Sequence, residues 1–160
     1  MRPSDLLNES RIFPSLEPAG KRAFLRGIIQ RLAQAGLVTS TDAVVDALME
    51  RENLFSTALG NGCAIPHTVS PHVKTLLIAM ASVPKGTDFK SIDGQAVHFL
   101  FLILSPPEAQ KHHLGLLGKL ARMLNDRSFL DDLRLAGSDP AKLAEVFRRK
   151  EAMLESRSGL

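Results

Sequence analysis

Apolar residues in the first third of the chain recur at the spacing of an amphipathic helix. Over residues 21–35 they fall every three or four positions, which places them on one helical face, and Gly36 provides a stop. A second set with the same spacing follows the Thr-Ser-Thr run at 39–41, and these residue types commonly cap helix N-termini. The pattern therefore predicts two helices, the second ending near Asn53.

Two later segments are almost entirely apolar and show no polar face. They occupy residues 76–83 and 97–104 and consist mainly of Val, Leu, Ile, Ala and Phe. Continuous apolar runs of this length are typical of interior strands that are covered on both sides. We therefore expect a sheet with helices against both of its faces.

Further helices are predicted after the second strand. Residues 108–124 follow two prolines, residues 130–135 form a shorter helical segment, and Pro140 begins a last helix after an aspartate. The order of elements predicts an α/β fold, a single three-layer domain with a mixed β-sheet flanked by helices on both faces. We expect this domain to span residues 1–160, with a core of about 21–150 and frayed termini.

Composition excludes several functional classes. Twenty Lys and Arg oppose 17 Asp and Glu, their signs alternate along the chain, and Trp and Tyr are absent. A nucleic-acid surface usually clusters basic residues around aromatic platforms, so no nucleic-acid partner is predicted. The apolar runs are too short for membrane insertion, and the N-terminus lacks the apolar region of a signal peptide. With Cys63 as the only cysteine, no internal disulfide can form and a cytoplasmic location is expected.

Candidate chemistry begins around His67. Gly60 and Gly62 allow the positive φ angles of a sharp turn, and a short strand at residues 63–65 is predicted to follow. Pro66 holds the residue before it in an extended conformation. We expect His67 at the end of that strand, at the start of a loop, with a defined orientation. A histidine at such a position, taken alone, is also consistent with an ordinary surface-loop residue.

A second histidine lies on the predicted long helix. His113 shares the helical spacing of Leu116 and Leu120, whereas His112 falls on the exposed face. His113 is therefore expected against the core, where a hydrogen bond to a backbone group would equally account for it. Ligand sites of open α/β sheets gather at strand ends, and Arg51, near the end of the second helix, can point into the same space.

Two histidines and an arginine in one place are suited to phosphoryl transfer. A neutral imidazole is a nucleophile near neutral pH, because its ordinary pKa is about 6.5. The transferred group spreads negative charge over three oxygens, and a guanidinium can bind two of them. In this hypothesis His67 accepts the group and Arg51 neutralises its charge. His113 positions the group, and Thr57 donates its hydroxyl.

Several short motifs together resemble one protein family. They are Arg51-Glu52, Ser56-Thr57, Gly60, Gly62, Ala64-Ile65-Pro66-His67, Phe89, Ile92-Asp93-Gly94 and His113-Leu114. From about residue 21 to 147, the chain resembles the fructose/mannitol-type IIA component of the bacterial phosphotransferase system (PTS), a family that includes nitrogen-regulatory IIA proteins. The resemblance implies a mixed sheet flanked by helices.

The resemblance also implies roles for individual residues. A phosphohistidine would form on His67 through Nε2, and the donor would be a histidine phosphocarrier protein (HPr) or its nitrogen-branch counterpart. Arg51 and His113 match the family's supporting arginine and second histidine.

Some positions depart from the usual family pattern. Ala58-Leu59 stands where the family usually has Gly-Ile, Thr68 replaces a glycine after the histidine, and Cys63 replaces a β-branched residue. Each chemical group of the hypothesis is nevertheless present.

Three functions remain open at this point. A nitrogen-regulatory IIA, whose further partner would be a regulated target protein, is favoured, because the chain has no fused transporter or second carrier domain. The alternatives are a sugar-specific IIA that passes its phosphate to a IIB domain, and a binding module that acts by contact alone. Transfer between proteins needs a docking surface, for which Phe55, Leu59 and Val69 are candidates.

No cofactor and no metal are predicted. Cys63, His67 and His72 have a spacing reminiscent of metal ligands. Pro66 and Pro71, however, break any helix that would bring these side chains onto one face.

Overall fold

A mixed sheet lies between two layers of helices. The structure, a computed structural model, describes residues 1–159, and within this range the sheet has six strands. The helices and strands are, in chain order, α1 (Pro3–Leu6), β1 (Ile12–Phe13), α2 (Lys21–Gln34), α3 (Thr41–Leu54), β2 (Ala58–Gly60), β3 (Cys63–Ala64), β4 (His67–Val69), β5 (Leu77–Thr87), β6 (Val97–Ser105), α4 (Gln110–Leu124), α5 (Arg127–Ala136) and α6 (Pro140–Ser158). Single turns of 3₁₀ helix precede β1 and α4.

The two long apolar runs form the centre of the sheet. Strands β5 and β6 pair antiparallel, with Leu77 opposite Leu104 and Ile78 opposite Ile103. Strand β1 lies parallel to the outer side of β5, while β3 and β4 both run parallel to β6 and β2 pairs antiparallel with β3. The predicted mixed sheet is confirmed.

Successive residues of these strands contribute to opposite cores. Leu77 and Ala79 pack with the buried residues of α2 and α3. Ile78 and Met80 pack on the other face with the buried residues of α4, α5 and α6. Because neighbouring side chains on a strand point to opposite faces, an uninterrupted apolar run requires cover on both sides. The predicted three layers are therefore present.

Local signals set the helix boundaries close to their predicted positions. The Oγ of Ser40 accepts a hydrogen bond from the backbone N–H of Ala43 (3.3 Å) and caps α3. Asp139 caps α6 through the backbone N–H of Ala141 (2.9 Å). Among residues 1–159, no helix combines the length and the apolar character that crossing a bilayer requires.

The expected frayed termini are not what the structure contains. Leu7 and Ile12 are buried in the core on the α4–α6 face, and Ile12 begins the strand that closes one edge of the sheet. Helix α6 continues to Ser158, while Leu160 lies outside the described residues. Hydrophobic periodicity does not reveal the N-terminal part of the core, because a two-residue strand is too short to show an alternating pattern.

Candidate functional site

His67 lies in the sheet, as the first residue of β4. Strand β3 pairs with Phe99 and Leu100 of β6, and β4 pairs further along the same strand, starting with His67 opposite Ile103. Between them Pro66 has no N–H to donate, but its carbonyl accepts a hydrogen bond from the N–H of Ile103 (3.0 Å). The prediction that a loop begins at His67 is therefore wrong. Pairing with β6 continues after Pro66, so that His67 begins a further strand, β4.

A tight turn leads into this segment. Gly60, Asn61 and Gly62 all have positive φ angles, of 86°, 55° and 77°, as predicted for the two glycines. A Cβ on Gly60 would lie 3.1 Å from a carboxylate oxygen of Asp93, so space as well as conformation favours glycine there. After the turn the chain runs along β6, first as β3 and then as β4, which begins at His67.

The imidazole of His67 has a fixed tautomer. Its Nδ1 lies 2.8 Å from the carbonyl oxygen of Ile65. Because a carbonyl only accepts hydrogen bonds, Nδ1 donates, and in the neutral ring the lone pair is on Nε2. Burial lowers the pKa of His67, and the positive charge of Arg51 acts in the same direction, against the opposing effects of Ile65 and Glu52. The ring is thus neutral near pH 7, with Nε2 as its nucleophilic atom.

His113 lies beside His67, on the first turns of α4. The two ring centroids are 5.6 Å apart and the ring planes are inclined by 56°. His113 is buried, as its helical spacing predicted, and His112 is exposed. The Nδ1 of His113 lies 2.7 Å from the Oγ of Ser105, the last residue of β6. Burial, assisted by His67, lowers the pKa of His113 to about 4, so this ring is also neutral.

Arg51, in the last turn of α3, is the positively charged residue that acts electrostatically on His67. One guanidinium N–H donates to the carbonyl of Phe55 (3.0 Å), which holds the side chain against the end of the helix. No other side-chain hydrogen bond or ion pair of Arg51 is found among residues 1–159. Most of its donors therefore have no partner among these residues and are available for an anion.

Thr57 has a different partner from the one expected. Its hydroxyl donates to Oε1 of Glu52, and its backbone N–H donates to Oε2 of the same carboxylate (3.2 Å). A hydroxyl has a single proton to donate, so in this arrangement Thr57 does not offer it to a phosphoryl group. Its contact with Glu52 instead fixes the backbone where the chain leaves α3 for β2.

Glu52 is the site residue that the sequence analysis left without a role. Its carboxylate is buried and forms an ion pair with Nζ of Lys21 (2.9 Å) on α2. A signal was available, because Glu52 lies four positions after Leu48 and seven after Val45, on the apolar face of α3. A charged residue on such a face is buried, and a buried charge needs an ion-pair or hydrogen-bond partner.

The residues that depart from the usual family pattern lie in the sheet. Ala58 is buried in the core on the α2–α3 face, and Thr68 is half-buried in β4 opposite Leu104. Burial raises the pKa of the Cys63 thiol to about 12, so it stays protonated. No group of three or more His, Cys, Asp or Glu side chains in the described part of the chain could hold a metal ion.

Exposed apolar side chains extend from the elements that hold the site. Phe55, whose carbonyl anchors Arg51, is 73% exposed, and Leu114, next to His113, is 64% exposed. Leu59, on β2, is also exposed, whereas Val69 is half-buried. We refer to Phe55, Leu59 and Leu114 as the apolar rim.

Comparisons with known proteins match most of the chain to one family. The family model described as "Phosphoenolpyruvate-dependent sugar phosphotransferase system, EIIA 2" matches residues 5–150. A nitrogen regulatory protein from Bradyrhizobium diazoefficiens is 34% identical over 131 residues, which cover 82% of this chain and 85% of that protein. A fructose-specific EIIA component of the PTS from Haloferax volcanii is 36% identical over 126 residues, covering 75% of this chain and 82% of that protein.

A solved structure has the same fold over nearly its whole length. The crystal structure of the nitrogen regulatory protein IIA-Ntr from Neisseria meningitidis matches with a TM-score of 0.82 and 28% identity. The match covers 90% of this chain and 97% of that one. The chain therefore belongs to the type 2 EIIA family of the phosphoenolpyruvate-dependent sugar phosphotransferase system.

Proposed function

We propose that the protein accepts a phosphoryl group on Nε2 of His67 from a phosphohistidine on a carrier protein, HPr or its nitrogen-branch counterpart. The observation that supports this most directly is the hydrogen bond from Nδ1 of His67 to the carbonyl of Ile65. It leaves the lone pair of a neutral imidazole on Nε2, in the vicinity of Arg51 and His113.

The proposed step exchanges one phosphorus–nitrogen bond for another. The Nε2 lone pair of His67 attacks phosphorus, and the bond from phosphorus to the donor's ring nitrogen breaks. The electron pair of that bond stays on the donor imidazole, which carries a proton on its other nitrogen and therefore leaves as a neutral ring, while the phosphorylated ring of His67 takes over the positive charge. Nδ1 of His67 keeps its proton throughout, and its hydrogen bond to Ile65 is retained. Arg51 and His113 are assigned to the negative charge on the phosphoryl oxygens.

The apolar rim is the proposed docking surface for the carrier protein. Phe55, Leu59 and Leu114 are exposed next to elements that hold Arg51 and His113. Apolar side chains at the centre of an interface exclude water from the reacting groups and supply much of the binding free energy.

A regulatory role is proposed over a sugar-specific one. The relatives from Bradyrhizobium and Neisseria are nitrogen regulatory proteins that match most of this chain. The fructose-specific component from Haloferax supports the second candidate, a IIA that passes its phosphate to a IIB domain.

Phosphorylation is tested with phosphoenolpyruvate, enzyme I of the PTS and each of the two carrier proteins. We expect the intact mass to increase by one acid-labile phosphoryl group, and the increase to disappear in His67→Ala. His112→Ala is the matched control, because His112 is an exposed histidine on the same helix as His113. Failure of both carriers to modify the wild-type protein would reject phosphoryl transfer and favour a binding module that acts by contact.

Onward transfer separates the two remaining roles. The phosphorylated protein is mixed with fructose-type and mannitol-type IIB domains, and the mass of each IIB domain is followed over time. We expect no transfer for a regulatory protein. Rapid transfer to either IIB domain would instead assign the sugar-specific role.

A further inference from the structure

Ser105 occupies a position that neither the sequence analysis nor the proposed reaction uses. It is the last residue of β6, lies opposite Val69 of β4 and has no exposed surface. Its backbone carbonyl accepts a hydrogen bond from the N–H of Ser70 (2.9 Å), which holds the strand end in place. Its side-chain Oγ lies 2.7 Å from Nδ1 of His113.

The proton in this contact can be placed by counting donors and acceptors. Within residues 1–159, the hydroxyl of Ser105 has no side-chain hydrogen-bond partner other than His113. If Nδ1 of His113 carried the ring proton, Oγ would accept it and the hydroxyl's own proton would be buried without an acceptor. That arrangement costs the desolvation penalty of an unsatisfied donor. If Ser105 donates to Nδ1, both groups are satisfied and the ring proton of His113 lies on Nε2.

His113 and His67 therefore hold opposite tautomers. The backbone carbonyl of Ile65 keeps the proton of His67 on Nδ1, which leaves Nε2 as a nucleophile. The hydroxyl of Ser105 keeps the proton of His113 on Nε2, which makes that atom a hydrogen-bond donor. With ring centroids 5.6 Å apart, a nucleophile and a neutral donor lie side by side.

We propose that Ser105 is a positioning residue, which orients His113 and fixes its tautomer so that Nε2–H donates to the phosphoryl group bound to His67. This proposal rests on the proposed function. The opposite tautomer would direct a lone pair at negatively charged phosphoryl oxygens, whereas an N–H stabilises them as transfer proceeds. Since His113 is neutral, it supplies this hydrogen bond in addition to the charge of Arg51.

The first test measures the tautomers directly. Nitrogen-15 NMR of the unphosphorylated wild-type protein, near neutral pH and without any carrier, distinguishes protonated from unprotonated ring nitrogens. We expect the proton on Nε2 in His113 and on Nδ1 in His67. A proton on Nδ1 of His113 would overturn the proposal, and this result does not depend on whether His67 is ever phosphorylated.

The second test compares transfer rates of folded variants. Ser105→Ala is expected to slow phosphorylation of His67 by about tenfold or more, with mixed or exchanging tautomers of His113 in the NMR spectrum. Ser105→Thr retains a hydroxyl, so its phosphorylation rate and the Nε2–H signal of His113 should be those of the wild type. The matched control is Ser70→Ala, a buried serine at the neighbouring strand end that has no hydrogen bond to His113.

The outcomes separate this proposal from the proposed function. Wild-type transfer together with an unchanged rate in Ser105→Ala would reject the role of Ser105 and leave His67 as the acceptor. A slow Ser105→Ala whose His113 tautomer and orientation are unchanged would also reject it, since the defect would then have another origin. Should Ser105→Thr fail to fold, the wild-type NMR measurement still decides the tautomer of His113.

Discussion

Each histidine of the site takes its chemistry from one hydrogen-bond partner. For His67 the partner is the carbonyl of Ile65, two positions earlier and on the other side of a proline. For His113 it is the hydroxyl of Ser105, eight positions earlier at the end of a buried strand. Both rings are neutral near pH 7 because burial lowers their pKa, which keeps one available as a nucleophile.

Arg51 is expected to act on the transfer rate with little effect on stability. Replacing it with Gln removes the charge opposite the phosphoryl oxygens and should slow phosphorylation of His67 by about 100-fold. The rate is measured with limiting phosphorylated carrier, and thermal unfolding is followed alongside. Arg26→Gln is the control, because Arg26 pairs with Asp42 at the opposite end of α3. A variant of Arg51 that is phosphorylated as fast as the wild type would remove its assigned role.

His113 is expected to make the protein less stable in mild acid. Its pKa is about 4 in the folded protein and near 6.5 in the unfolded chain, so between these values the unfolded state binds more protons. The free energy of unfolding should therefore fall as the pH decreases through this range. The groups that influence this ring are Ser105 and His67, and the lowered pKa of His67 acts in the same direction.

The measurement is urea unfolding at about pH 7.5 and about pH 5. His113→Gln should lose less stability than the wild type between the two conditions, whatever its stability at the higher pH. Equal losses in both proteins would show that His113 is not the titrating group.

At the scale of elements, two adjacent residues at the end of α3 have different roles, one in the site and the other in the core. Arg51 donates to the carbonyl of Phe55 and acts electrostatically on His67, whereas Glu52 is buried and binds Lys21 and Thr57. Successive helix positions differ in direction by about 100°, which allows one turn to supply both. The ion pair joins α2 to α3, and the same carboxylate holds Thr57, the residue before β2.

Glu52→Gln is expected to destabilise the protein by about 3 kcal/mol, because it leaves the ammonium of Lys21 largely buried without a counter-charge. Denaturant unfolding near pH 7 measures the change. Glu17→Gln breaks a solvent-exposed ion pair with Lys85 and should cost less than about 1 kcal/mol. Similar losses in the two variants would mean that burial of the Glu52 pair contributes nothing.

At the scale of the whole molecule, the chain termini complete the core on one face. Leu7 and Ile12 pack among the buried residues of the α4–α6 layer. The carboxylate of Glu151 on α6 also accepts a hydrogen bond from the backbone N–H of Ser4 (3.1 Å), which fastens α1 to the last helix. The N-terminal segment is thus part of the fold that supports β5 and β6.

Ile12→Ala tests this directly and should cost about 2–5 kcal/mol of unfolding free energy, as for other buried isoleucines. Ile92→Ala is the matched control, since Ile92 is 90% exposed and its truncation should change stability by less than about 0.5 kcal/mol. If Ile12→Ala is as stable as Ile92→Ala, the N-terminal segment does not contribute to the core and is frayed.

Hydrophobic periodicity alone determined the layers of this protein. The apolar runs that became β5 and β6, and the helical spacing that became α2, α3 and α4, were sufficient to predict a sheet covered on both faces. Local chemistry also placed the glycine turn before β3 and put His113 on the inner face of its helix. These features depend on residues close together in the chain, so a single sequence contains the information.

Tertiary structure decided which groups meet and which atoms react. Pairing with β6 makes His67 the first residue of β4 instead of a loop residue, and the buried carboxylate of Glu52 accepts the hydrogen bond that the hydroxyl of Thr57 donates. The hydrogen bonds that set the two histidine tautomers depend on exact backbone positions, as does the packing of Ile12. A hydrogen bond or a buried ion pair forms only when two groups, often far apart in sequence, come within a few ångströms of each other. A hydrophobic pattern does not encode those distances.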